Sequence, residues 1–127
     1  MMLYSLDPTD IANANNMAWI LATSYKDYPR ALEMAQRCLN LLPNHPQVLD
    51  TLGWIFFLMG RYQEAADNLL ASVKYGDNPE ARYHLGRVYE VRERPDEARG
   101  EYQKALQMGL QGKEREDAQR RLDQLKK

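Results

Sequence analysis

Catalysis needs a nucleophile, an acid–base pair or a cluster of metal ligands. This chain of 127 residues offers one cysteine and two histidines for such work. Cys38 falls at a small-residue packing position, where a thiol behaves as a buried, inert apolar group. His45 precedes Pro46, the order of a helix cap followed by a first-turn proline. His84 has Arg87 and Val88 three and four residues on, so no second ligand shares its helix face in the spacing a metal site uses. There is no glycine-rich phosphate loop and no Gly-x-Ser-x-Gly elbow. These residue types predict no enzyme, no metal and no cofactor. The conspicuous side chains are instead apolar: Trp54 to Met59 is an unbroken apolar run, more than one helix face needs for packing.

The elements that hold this run repeat. The stretch Thr51–Ala66 returns 33 residues later as His84–Arg99, and a weaker copy, Met17–Leu32, precedes it by 34. A period of this size marks stacked supersecondary units. Helix signals dominate, with no alternation of strand length and no Asn-Gly or Asp-Gly hairpin turn. Prolines at 8, 46, 79 and 95 sit where helices should start, and glycines at 60, 76 and 109 where they should stop. The punctuation predicts helices near 8–25, 28–41, 46–59, 62–75, 79–92, 95–108 and 113–126. Short loops force neighbours antiparallel. Equivalent positions alternate small and large residues. Trp19, Gly53 and Gly86 align, as do Ala31, Ala65 and Ala98, then Ala35, Leu69 and Tyr102. Small residues allow two helices to approach, and large ones fill the space opposite.

The bulk composition bounds the partners. Seventeen basic residues balance eighteen acidic ones for a net charge of -1, so no general pull toward nucleic acid or anionic lipid is implied. The single cysteine precludes an internal disulfide. The first ten residues lack the basic start and apolar stretch of a signal peptide, and no apolar run is long enough to span a membrane. If the chain is complete, these features place it in the cytoplasm.

The spacing Leu-Gly-x-x-Phe/Tyr, then Gly-Arg-Tyr-x-Glu-Ala, then a small residue seven further on, resembles the tetratricopeptide repeat. The second unit, about 46–78, carries it most fully. The third, about 79–111, has Glu93 and Pro95 where the family has glycine and an aromatic. The first, about 12–45, has Trp19 and Ala22 where glycine and an aromatic are usual. The resemblance implies one all-α domain over 1–127: a right-handed superhelical array of three helix-turn-helix hairpins. A capping helix at about 113–126 carries Ala118, Leu122 and Leu125 on one stripe.

The resemblance also implies a concave face lined by the first helix of each pair. Its positions here are Asn13, Asn16, Met17, Ile20, Thr23 and Ser24, then Gln47, Asp50, Thr51, Trp54, Phe57 and Leu58, then Glu80, Tyr83, His84, Arg87, Glu90 and Val91. Trp54, Phe57 and Tyr83 are expected as the energetic anchors, with Asn16, Asp50 and Arg87 giving register. The expected function is a non-catalytic scaffold that binds a peptide or helix of a partner protein. Two alternatives stand beside it: residues 1–10 lie over the groove, or a second copy makes a homodimer there or at the array ends. Family members that grip acidic C-terminal carboxylates use Lys, Arg and Asn at positions held here by Asn16, Ile20, Thr51, Glu80 and His84. That cationic clamp is absent, and Glu80 would repel a carboxylate.

Overall fold

The computed structural model describes residues 8–125. They form seven helices: α1 (Pro8–Thr23), α2 (Tyr28–Leu41), α3 (Pro46–Leu58), α4 (Tyr62–Tyr75), α5 (Pro79–Val91), α6 (Pro95–Gln107) and α7 (Gly112–Leu125). No strand occurs among the described residues, so the all-α expectation holds. Residues 1–7 lie outside the described residues, and the expectation that residues 1–10 lie over the groove falls mostly on them. None of the described helices is long and apolar enough to cross a membrane.

The helix starts follow from their caps. The Asp27 carboxylate accepts from the Arg30 amide at 3.3 Å, His45 Nδ1 from Val48 at 3.4 Å and Asn78 Oδ1 from Ala81 at 2.9 Å. Each satisfies an amide that the first turn leaves without a helical partner. Asn78 also donates to Ser72 Oγ, which in turn donates to the Pro46 carbonyl. One polar thread thus links the start of α3, the end of α4 and the start of α5.

The hairpin turns share one backbone device. Lys26, Gly60 and Glu93, spaced 34 and 33 residues apart, have φ of 54°, 79° and 59°. This left-handed conformation costs glycine little and other residues more. Glu93, which breaks the family pattern in sequence, therefore makes the same turn as Gly60. Arg61 and Arg94 amides close the two turns alike, on the carbonyls of Phe56 and Tyr89 at 2.8 Å. The first turn is one residue wider, closed by Asp27 on Leu21. It ends α1 at Thr23 rather than at 25 as expected.

Packing within each hairpin rests on the small positions. Ala18, Leu52, Leu85 and Ala118 are fully enclosed, as are Ala31, Ala65 and Ala98. Gly53 abuts the Leu69 side chain and Gly86 the Tyr102 ring so closely that a methyl group on either would collide. The first hairpin reverses the sizes, with Trp19 at the glycine position and Ala35 at the Leu69 position. Cys38 is buried in this core, where desolvation raises its thiol pKa. At the far end Ala118 and Leu122 of α7 are buried over α6 with Leu110, and a polar face points outward.

The turn geometry makes a measurable asymmetry. Gly60→Ala should lose about 1 kcal/mol by forcing a Cβ into the left-handed region. Glu93→Gly should gain about 0.5–1 kcal/mol, because the relief of strain exceeds the added entropy of the unfolded chain. Urea midpoints of the two variants, with unchanged slopes, test this.

Candidate functional site

The first helices of the hairpins lie side by side. α1 touches α3, α3 touches α5 and α5 touches α7. The repeat spacing then places Ile20, Trp54, Arg87 and Arg120 in one row across this inner face, with Met17, Thr51, His84 and Asp117 in the next. Read along either row, the face changes from apolar to ionic.

The apolar half is built around Trp54. Its ring lies 4.6 Å from Phe57 at 9° and 4.3 Å from His84 at 28°, with Trp19 at 6.4 Å. Trp54, Phe57 and Leu58 are half-buried. Ile20 on the neighbouring helix is 41% exposed and Met17 46%. Asn13 and Asn16 are exposed on the same helix. Thr23 instead donates its hydroxyl to the Trp19 carbonyl, and Ser24 lies beyond the helix end. The Arg87 guanidinium stands 5.6 Å from the Trp54 ring centre and 5.4 Å from that of Phe57, where a cation meets the negative face of the π system.

His84, expected on the open groove, is instead 1% exposed. Its Nδ1 is 2.7 Å from Asp50 Oδ1 and its Nε2 3.2 Å from Glu114 Oε2. Trp19 and Trp54 flank the ring. Burial alone would lower the imidazole pKa, but the two carboxylates outweigh it and raise the value to about 9. At neutral pH both ring N–H groups therefore donate, one to α3 and one to α7. No nitrogen is left for a metal or a substrate proton. Among the described residues no group of three histidine, cysteine, aspartate or glutamate side chains is arranged so that it could hold a metal ion.

The ionic half belongs largely to α7. Tyr83, expected as an exposed anchor, is 4% exposed and donates to Asp117 Oδ2 at 2.5 Å. Burial and this carboxylate push its phenol up to about 12. Asp50, expected on the polar rim, is buried by its bond to His84. Arg87 donates to the Tyr83 hydroxyl and lies 3.7 Å from Asp117. Arg121 donates to Asp117 at 2.7 Å. Glu90 accepts from Tyr102 at 2.8 Å and from Arg121 at 3.4 Å, so it serves internal packing rather than the open groove. Sequence reasoning passed over Trp19, Glu114, Asp117 and Arg121. The repeat period carried the signal for Asp117, which stands one unit after His84.

The His84 pair has a signed consequence for stability. Its folded pKa lies above the value of about 6.5 for an unperturbed histidine, so its contribution is complete below that pH and is lost as pH rises through about 9. Urea unfolding at pH 6 should show His84→Gln clearly less stable than wild type, and the difference should narrow by pH 10.

Known proteins place this architecture. The family profile described as tetratricopeptide repeat matches residues 51–118. A TPR repeat-containing protein of Pseudomonas aeruginosa is 28% identical over 80 residues, or 63% of this chain, and the match spans 14% of that relative's length. Among solved structures, the Sgt2 TPR domain of Aspergillus fumigatus superposes with a TM-score of 0.80 at 17% identity, covering 92% of this chain and 77% of that one. The Yersinia enterocolitica type III secretion chaperone SycD, in complex with a peptide of the translocator YopD, gives 0.78 at 16% identity over 97% of each chain. The second TPR domain of human RPAP3, in complex with the HSP70 peptide SGPTIEEVD, gives 0.77 at 16% identity, covering 95% and 99%. These structural likenesses are matches of fold, whereas the profile covers more than half of the sequence: the chain belongs to the tetratricopeptide repeat family.

Proposed function

We propose that this chain is a non-catalytic interaction module that holds an apolar peptide or helix of a partner protein against its inner face. The observation that carries the reading is the open apolar strip. Ile20, Trp54, Phe57 and Leu58 remain partly accessible on α1 and α3, although Phe57 and Leu58 also pack against the core. Aromatic groups set in a concavity, with polar groups at its edge, have the composition of an interface centre. The fold is compatible with such a use, since SycD and RPAP3 were solved with bound peptides. An acidic C-terminal peptide of the kind seen with RPAP3 is not the ligand we propose. His84 is spent on Asp50 and Glu114, and Glu80 is exposed at the same rim.

A second reading, self-association, has its own observation. Met17 is exposed beside half-buried Leu21 and Met34, which line a hollow of about 310 Å³ between α1 and α2 with Arg30, Glu33 and Arg37. Molar mass across a concentration series separates a monomeric receptor from a dimer.

The groove reading predicts a specific loss. A peptide selected on the wild-type protein from a random display library should bind Trp54→Ala at least about 2 kcal/mol more weakly, with the far-ultraviolet helical signal unchanged. Unchanged affinity would remove Trp54 from the site, and lost helicity would assign it to the core.

A further inference from the structure

Beside the apolar strip, the middle of α1 and the N-terminal halves of α3, α5 and α7 line an open hollow of about 240 Å³. Asp50, Glu80 and Glu114 line it from three different helices, with Asn16, Trp19 and His84 completing the wall. Three carboxylates against one imidazolium leave it net negative. Glu80 is exposed and forms no ion pair among the described residues. Glu80 and Glu114 each stand in the first turn of a helix, where an acid offsets the helix dipole. That accounts for each acid singly, but not for their convergence with Asp50 on one cavity. In the same wall the Oδ1 atom of Asn15 is buried and has no donor among the described residues.

The opposite side of the groove has the other sign. Arg87 lies over Trp54 and Phe57, and Arg120 and Arg121 gather on Asp117, with Glu90 also accepting from Arg121, so three guanidinium groups face two carboxylates. The inner face is therefore polarised, with acids at the helix starts, apolar rings in the middle and guanidinium groups toward the helix ends.

We infer that the occupant of the inner face is a basic amphipathic segment of a partner protein. Its apolar side rests on Ile20, Trp54 and Phe57, and a lysine or arginine side chain enters the hollow between Asp50, Glu80 and Glu114. This rests on the groove reading above and adds the charge and orientation of what binds there. The hollow supplies two kinds of complement to a cation: carboxylate oxygens, and the indole of Trp19 as an aromatic wall. A carboxylate or phosphate in the same place would meet like charges, which is a penalty that selects against acidic segments.

Three synthetic peptides test the inference. They share one Leu/Phe stripe and carry Lys, Gln or Glu at the remaining positions, and binding is read by fluorescence anisotropy. The Lys peptide should bind about fivefold tighter than the Gln peptide at low ionic strength, and the Glu peptide weakest. The gap should narrow in Glu80→Gln, in Glu114→Gln and in high salt, with helicity checked in each variant. Equal binding of the Lys and Gln peptides, both weakened by Trp54→Ala, would overturn the charge inference and leave the groove reading standing. A gap that survives in both glutamine variants would put the cation elsewhere and overturn it too. Binding of none of the three peptides would overturn both.

Discussion

The close approach of the two helices in the second and third hairpins is the constraint on which the rest depends. At Gly53 against Leu69 and at Gly86 against Tyr102 there is no room for a β-carbon. Only that contact lets a large side chain of the second helix seat itself fully in the hairpin core, where Leu69 and Tyr102 are completely enclosed. Once the second helices absorb the interior, the first helices can lie next to one another as a continuous sheet of helices. The inner face is a by-product of that division of labour. The apolar residues of α3 beyond those the core takes are left at its surface.

That face is not uniform, and His84 marks the boundary. Behind it stand two indoles, and at its ring nitrogens stand carboxylates from α3 and α7. A buried charge is expensive unless its partners satisfy it on every side, and here the partners come from different repeats. The ion pair therefore ties the capping helix to the middle of the array through the face itself. Tyr83 and Arg87 join α7 to α5 as well, through Asp117. α7 is thus more than a polar lid over the open end. It continues the inner wall and draws Tyr83, His84 and Arg87 of the third repeat into an internal ionic network, while Glu80 stays exposed. What stays open is the apolar strip of α1 and α3 and the acidic hollow beside it.

Much of this was legible in the sequence. The period, the first-turn prolines and the alternation of small and large residues located seven helices to within a few residues, because each reports a local steric or hydrogen-bonding requirement. The surplus apolar run in α3 was legible for the same reason, since a helix face has a fixed width. The fate of Asp50, Tyr83, His84 and Glu90 was not. Each is polar and falls at a groove position, and whether it faces solvent depends on a partner 12 to 34 residues away. Trp19 aligns with Gly53, but the alignment does not say where its indole goes. Its place in the first hairpin is opposite Ala35, so its indole is directed to Trp54 and His84 rather than to a large residue of α2. Glu93 shows the converse: a departure in sequence that leaves the turn unchanged.

The central claim is that a foreign segment docks on the apolar half of the inner face, between α1 and α3. Amide and indole chemical-shift mapping on the isotope-labelled chain, titrated with a peptide that binds it, tests this most directly. The account predicts saturable shifts concentrated at Asn16, Ile20, the Trp54 indole and Phe57, with α2, α4 and α6 silent. Shifts concentrated on those second helices, with the Trp54 indole unmoved, would contradict it.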